Sequence, residues 1–249
     1  ETSGRAINAI AVSSHNEVAL VSQRGEIFRY VESSPAQVSS ESATNARPAT
    51  KLHLTRLDSS TNPAQLKTAN PTDEALPLLA AIYTPSQELA IGSSGRGLLL
   101  NQEKDIREAV AKSPRPFFVA AAFTDDNQLW LGEFANARSG GSWSFTNDTM
   151  KRLPVETEAV RAIHGSKDEL WVGTHRRGVF LLTPEADGAK LVEHLTFENT
   201  AGGLRSNQIN AVFRDREGVI WFGTDRGVCR YDRDSFRAAM LSNDSQSNY

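Results

Sequence analysis

Val219 to Tyr231 reads VIWFGTDRGVCRY, and Glu169 to Phe180 reads ELWVGTHRRGVF. Both run as an apolar residue, Trp, an apolar residue, Gly, Thr and then a short polar turn containing Gly. A period of roughly 20–50 residues would reorganise every local reading, so the rest of the chain is compared with these segments first. QLWLGE (Gln128 to Glu133) and ELAIGSSGRGLLL (Glu88 to Leu100) are weaker copies, and EVALVSQRGEIFRY (Glu17 to Tyr30) is the most eroded, making five copies in 249 residues.

The Trp position holds Ala19, Ala90, Trp130, Trp171 and Trp221, at spacings of 71, 40, 41 and 50 residues. Upstream of it stand Ala9, Ala81, Ala121, Ala162 and Ala211, a second column of small residues. Within a copy the apolar residues alternate with period two, and turn residues such as Asp215-Arg216-Glu217-Gly218 separate the runs, which is the pattern of short strands. The last copy predicts strands over Ile209 to Asp215, Val219 to Thr224 and Gly227 to Tyr231, and a weaker one near Ser235 to Met240. Four strands per period of this length make a β-propeller blade, so the expected fold is an all-β propeller with five four-stranded blades. A β-sandwich also spaces strands regularly, but it gives no reason for a repeat in the sequence itself. The Ala column is expected on the innermost strand, where radial space is least, and Trp171 and Trp221 are expected to be buried between blades.

The stretch GLRSNQINAVFRDREGVIWFGTDRGVCRYD, Gly203 to Asp232, resembles the two-component regulator propeller repeat, and VRAIHGSKDELWVGTHRRGVFLL, Val160 to Leu182, is similar to it. The resemblance implies a sensor propeller of a bacterial signalling receptor, periplasmic or extracellular, with a membrane span and a histidine kinase following in such receptors. The repeat has no invariant catalytic or metal-binding residue, so it carries no active site across.

The blades are expected at about 5–75, 76–115, 116–158, 159–205 and 206–249, with an insertion within 31–75. Ser33 to Pro48 and Asp58 to Pro71 are rich in Ser, Thr, Asn, Ala and Pro, and only Lys51 to Leu57 alternates. This reads as an excursion around the fourth strand of blade 1, or else as an extra blade that has lost its signature. Ser247-Asn248-Tyr249 stands in phase with Ser206-Asn207-Gln208, and Arg5 to Ile10 is already an innermost strand. The five blades are therefore expected either to close as a ring by side-chain packing or to belong to a larger propeller, the second being favoured.

Hydrophobic residues make up 39% of the chain and aromatics 8%, enough for a large core. No run of 18 or more apolar residues is present. The formal net charge of −3 gives no general attraction for nucleic acid or an anionic bilayer. The single Cys229 excludes an intrachain disulfide and Cys-based zinc sites; it aligns with Phe28, Leu99 and Phe180 and is expected to be buried and inert. His15, His53, His164, His175 and His194 occupy different repeat positions without metal-ligand spacing, so neither a metal nor a cofactor is expected. Gly92-Ser93-Ser94-Gly95-Arg96-Gly97 lacks the Lys-Ser/Thr of a phosphate loop and lies between strands, where it reads as a turn. No nucleophile elbow occurs.

One constellation is chemical. Arg24-Gly25, Arg96-Gly97, Arg176-Arg177-Gly178 and Arg226-Gly227 occupy the turn between the second and third strands of four blades, and blade 3 has a longer Glu133 to Gly141 loop with Arg138. In a propeller these turns share one face around the axis. Arg24, Arg96, Arg176 and Arg226, with Arg177 and His175, are the candidate ligand-binding residues, suited to carboxylates or sulfates through charge-assisted hydrogen bonds. Each Arg could equally be solvated or packed on a neighbouring aromatic. The function expected is a non-enzymatic extracytoplasmic sensor binding a small anionic or saccharide ligand on the central face. The alternatives are a protein-interaction scaffold, in which the rim and the Val31 to Ala75 excursion dock a partner or another copy, and a lyase built on a His beside a carboxylate; further propeller blades are a candidate partner of the chain on any of these readings.

Overall fold

The computed structural model describes residues 6–30, 54–56, 77–102, 105–109, 117–124, 128–136, 139–147, 149–166, 168–185, 188–231 and 233. Among the described residues, nineteen strands form five antiparallel sheets, each a meander in chain order. Blade 1 holds β1 (Ile7–Val12), β2 (Val18–Ser22), β3 (Ile27–Tyr30) and β4 (Leu54–Arg56), and blade 2 holds β5 (Leu78–Tyr83), β6 (Leu89–Ser93), β7 (Gly97–Gln102) and β8 (Asp105–Ala109). Blade 3 holds β9 (Phe118–Phe123), β10 (Leu129–Asn136), β11 (Ser139–Thr146) and β12 (Thr149–Arg152). Blade 4 holds β13 (Val160–Gly165), β14 (Leu170–Thr174), β15 (Val179–Glu185) and β16 (Gly188–Leu195), and blade 5 holds β17 (Ile209–Arg214), β18 (Ile220–Thr224) and β19 (Gly227–Arg230). The fold is the expected propeller architecture. The strand expected near Ser235 to Met240, and all of the insertion except β4, lie outside the described residues.

The innermost strands touch in succession, β1 to β5 to β9 to β13 to β17. Each of these four junctions holds its own apolar core, for example Ala19, Val21, Leu78 and Ile91 between blades 1 and 2, and Trp171, Leu181, Ile209 and Phe222 between blades 4 and 5. Five blades with four cores form an open arc: among the described residues no core joins blade 5 to blade 1. The second strand of each inner blade is covered on both faces, and LAIGS of β6 and LWVGT of β14 are buried throughout.

Cross-strand register corrects the Ala column. Every innermost strand carries a β-bulge at one place, and the residue after it pairs with the Gly column: Ala9 with Val21, Ala80 with Gly92, Ala120 with Gly132, Ala162 with Gly173 and Ala211 with Gly223. Ala81 and Ala121, expected in that column, are one residue out and point to the opposite faces of their sheets, into the junctions with the preceding blades. A one-residue slip in a strand exchanges its two faces.

The Trp column is half as expected. Trp130 is 0% and Trp171 1% exposed, each in the junction with the following blade. Trp221 is a correction: it is only half-buried, because it lies on the face of blade 5 on which no other blade packs among the described residues. All three indole N–H groups are satisfied within their own blade, by Thr124 Oγ1 at 3.1 Å, Glu169 Oε2 at 3.2 Å and Asp215 Oδ2 at 2.7 Å. Cys229 is buried between blades 4 and 5, and burial pushes its thiol upward from the usual range.

Candidate functional site

The turn joining second and third strands is fixed by two devices that explain its sequence. A hydroxyl ends the second strand and bonds within the turn: Thr174 Oγ1 donates to the Gly178 carbonyl at 2.9 Å, Thr224 Oγ1 to Gly227 at 2.8 Å, and Ser93 Oγ to Gly97 at 2.9 Å. The turn then closes on a glycine with positive φ, at Gly25 (75°), Gly97 (74°), Gly178 (72°) and Gly227 (109°), a conformation other residues adopt only with strain. The Arg-Gly regularity is thus explained on its Gly side by backbone geometry.

The same turn is anchored to the axis identically in all five blades. The N–H of the residue at the same repeat position, the first of the turn in four blades and within β10 in blade 3, donates to the carbonyl before the innermost strand: Gln23 to Ala6 (3.0 Å), Ser94 to Pro77 (2.9 Å), Phe134 to Phe117 (2.9 Å), His175 to Ala159 (2.8 Å) and Asp225 to Gln208 (3.3 Å). Two columns therefore meet on this upper face: the anchored turn residues Gln23, Ser94, Phe134, His175 and Asp225, and the bulge residues Asn8, Leu79, Val119, Arg161 and Asn210 of the innermost strands.

A cavity of about 290 Å³ on this face is lined by Val119, Phe134, Arg161 and Asn210. Arg161 Nη1 lies 3.2 Å from His175 Nδ1, and its guanidinium carbon is 5.9 Å from the Phe134 ring centre. His175 in turn meets Phe134 edge to face at 5.6 Å. Arg161 can only donate, so Nδ1 of His175 accepts and the ring proton sits on Nε2. Burial, then the Arg161 and Arg176 charges, hold the His175 pKa below the ordinary histidine range, with Asp225 pulling the other way. The site thus offers a cation, an imidazole N–H, an amide and an aromatic ring beside one another.

The candidates from the sequence divide. His175 and Arg176 join this constellation, Arg176 as an exposed side chain whose charge is felt at His175. Arg226 is exposed in the next blade's turn and Arg24 is exposed in blade 1. Arg96 is half-buried in blade 2, and burial lowers its pKa. Arg177 is drawn elsewhere: Nη1 donates to the Glu156 carbonyl at 2.8 Å and reaches Glu158 Oε1 at 3.4 Å, with the guanidinium over the Phe180 ring at 5.7 Å. Arg138 lies outside the described residues. Sequence reasoning missed Arg161, Phe134 and Asn210, whose signal is positional: they occupy repeat columns whose residue type changes from blade to blade.

The opposite mouth of the arc's interior holds His164, which burial and the Arg214 charge push below its ordinary range against an opposing pull from Glu169. Two histidines with lowered pKa predict an acid-sensitive fold. The unfolded chain takes up their protons near pH 6.5 while the folded chain does not, so this stability is complete above about 6.5 and is lost as pH falls below it. Melting temperature should drop between pH 7.5 and 5.5, and His164→Gln with His175→Gln should flatten that slope. A melting temperature that rises on acidification through this window contradicts the assignment.

The class is therefore a β-propeller, with a polar, cationic cavity on the upper face of its arc. Residues 203–226 match the family described as two component regulator propeller, the repeat that Gly203 to Asp232 resembles. The fold is similar to an extracellular domain ascribed to a hybrid two component system of B. thetaiotaomicron (16% identity, TM-score 0.60), covering 91% of this chain and 27% of that one. The chain thus spans about a quarter of that protein domain's length. It is also similar to a catalytically inactive virginiamycin B lyase from Staphylococcus aureus with quinupristin (12% identity, TM-score 0.62, 92% of this chain and 68% of that). A gluconolactonase from Xanthomonas campestris gives 11% identity and TM-score 0.60 over 93% of this chain and 74% of that. At these identities the likeness is one of fold. No curated protein matches the sequence.

Proposed function

We propose that this chain is a non-enzymatic recognition propeller of an extracytoplasmic bacterial sensor, and that it binds a small anionic ligand, such as an acidic or sulfated saccharide, at Arg161. The observation that carries the reading is the upper-face cavity in which Arg161, Asn210 and Phe134 meet, with His175 bonded to Arg161. A planar guanidinium suits a carboxylate or sulfate, and the Phe134 ring suits the apolar face of a sugar. Arg176 and Arg226 stand on neighbouring turns as further cationic contacts. Binding rather than catalysis is supported because Nδ1 of His175 is occupied by a cation, which disfavours its taking up a proton there. The repeat match at residues 203–226 and the likeness to the extracellular two-component domain support the sensor role and the location.

Thermal shift with uronic acids, sulfated sugars and neutral sugars tests this. Acidic ligands should stabilise the protein, less so at high salt. Arg161→Ala should weaken binding by about 1.5–3 kcal/mol, the range for one charge-assisted contact, while the rim substitution Arg24→Ala should leave it nearly unchanged. Stabilisation by neutral sugars alone, indifferent to salt and to Arg161→Ala, contradicts the proposal.

A further inference from the structure

In the Trp column each indole reaches toward the turn between the first and second strands of its blade, where its N–H finds an acceptor. For Trp130 and Trp221 the acceptor stands six residues earlier, at Thr124 and Asp215; for Trp171, which has Gly165 at that place, it stands two residues earlier, at Glu169. Blade 2 has Ala90 in this column and keeps residues of both acceptor types, Thr84 and Glu88. Glu88 Oε1 is buried and has no hydrogen-bond partner among the described residues. A buried carboxylate oxygen that meets no donor is costly, so blade 2 retains the acceptor of an indole without the indole. Blade 1 also carries Ala in the column, but there Ala19 and the Tyr83 ring are buried together in one junction core. The counterpart of Tyr83 in blade 3 is Phe123, which is only partly buried.

A cavity of about 310 Å³ opens at this place between blades 2 and 3. Thr84 and Glu88 line it on the polar side, and Leu100, Leu129, Phe123 and Phe145 form apolar walls. Leu100 is the cross-strand partner of Ala90, as Leu181 is of Trp171, so the cavity lies where the column puts its ring. Its mouth is between the exposed turns β5–β6 and β11–β12, on the face of the arc opposite Arg161. Blades 2 and 3 both have a neighbour on either side, so this junction is internal to the arc. An apolar cavity of roughly 150 Å³ is enough to bind benzene, and this one has room for two fused rings. We propose that it binds a small flat aromatic molecule with a ring N–H, an indole or a heteroaromatic of that size, which donates to the Glu88 carboxylate. The ligand then supplies from outside the ring that Trp130 and Trp171 supply from the chain. The site prefers a neutral donor and lies apart from the anion site at Arg161, so each can fail without the other.

Thermal shift and titration calorimetry with indole, and with indene as the same shape without the N–H, test this. Indole should raise the melting temperature, independently of salt because it is uncharged, and should bind at least about tenfold more tightly than indene, since the unpaired acceptor penalises a ligand that lacks the donor. Glu88→Leu keeps the bulk and loses the carboxylate, so it should remove most of that preference while indene binds no worse. Ala90→Trp places the chain's own ring in the cavity. It should raise the melting temperature of the free protein and abolish the shift by indole. Should Ala90→Trp not fold, the loss of preference in Glu88→Leu decides the matter. No shift with indole at its solubility limit, equal binding of indole and indene by the parent, or an Ala90→Trp chain that still binds indole each overturns the proposal.

Discussion

Trp171→Ala is expected to destabilise the protein by about 3–5 kcal/mol, the cost of emptying a large aromatic site in a packed core. The ring fills the junction between blades 4 and 5, edge to face with Tyr231 at 4.9 Å and tilted against Phe222 at 5.6 Å. Trp130→Ala should cost as much, since that indole is fully buried against Val160 and Leu153 and its N–H is bonded to Thr124. Trp221→Ala should cost less than about 2 kcal/mol, because a half-exposed side chain gives up only part of its apolar burial. It also removes the Trp221 to Asp215 bond, the first among the causes that hold the Asp215 carboxyl below the usual carboxylate range. Urea unfolding of the three variants in dilute solution reads the difference directly. Equal losses at all three positions would mean that blade 5 is covered on its far side and that the arc is closed.

The sequence carried the columns that repeat, and the site lies in the columns that do not. Trp130, Trp171 and the Gly column recur because each junction makes the same geometric demand, so self-comparison finds them. The Ala register was ambiguous because Ala80-Ala81 and Ala120-Ala121-Ala122 offer a small residue at adjacent positions, and only the bulge before Ala80 and Ala120 decides which faces the Gly column. The candidate site was hidden for the opposite reason. A small ligand does not share the repeat of the blades, so the residues that would hold it need not repeat either. Asn8, Leu79, Val119, Arg161 and Asn210 share one bulge position without sharing a chemistry. The Arg-Gly turns did repeat, but their recurrence owes its Gly to positive φ and only their Arg is left for ligands.

Gly92→Ala is expected to be the most damaging of four equivalent substitutions. Its Cβ would run into the backbone carbonyl of Phe118, which cannot rotate aside, so blades 2 and 3 must move apart. A cost of about 1–3 kcal/mol or more follows from overpacking of this kind. Gly132→Ala and Gly173→Ala meet side-chain atoms of Val160 and Ile209 instead. A side chain can give way where a backbone carbonyl cannot, but these branched residues have few other rotamers, so the cost stays within that range and below that of Gly92→Ala. Gly223→Ala meets only ordinary contact with Ala211 and should stabilise the monomer by about 0.4–1 kcal/mol through the unfolded chain's lost freedom. The order of melting temperatures should therefore be Gly223→Ala above the parent, then Gly132→Ala and Gly173→Ala, then Gly92→Ala. A Gly223→Ala chain that melts as low as Gly92→Ala would mean that a residue is seated on Gly223 as on the other three glycines.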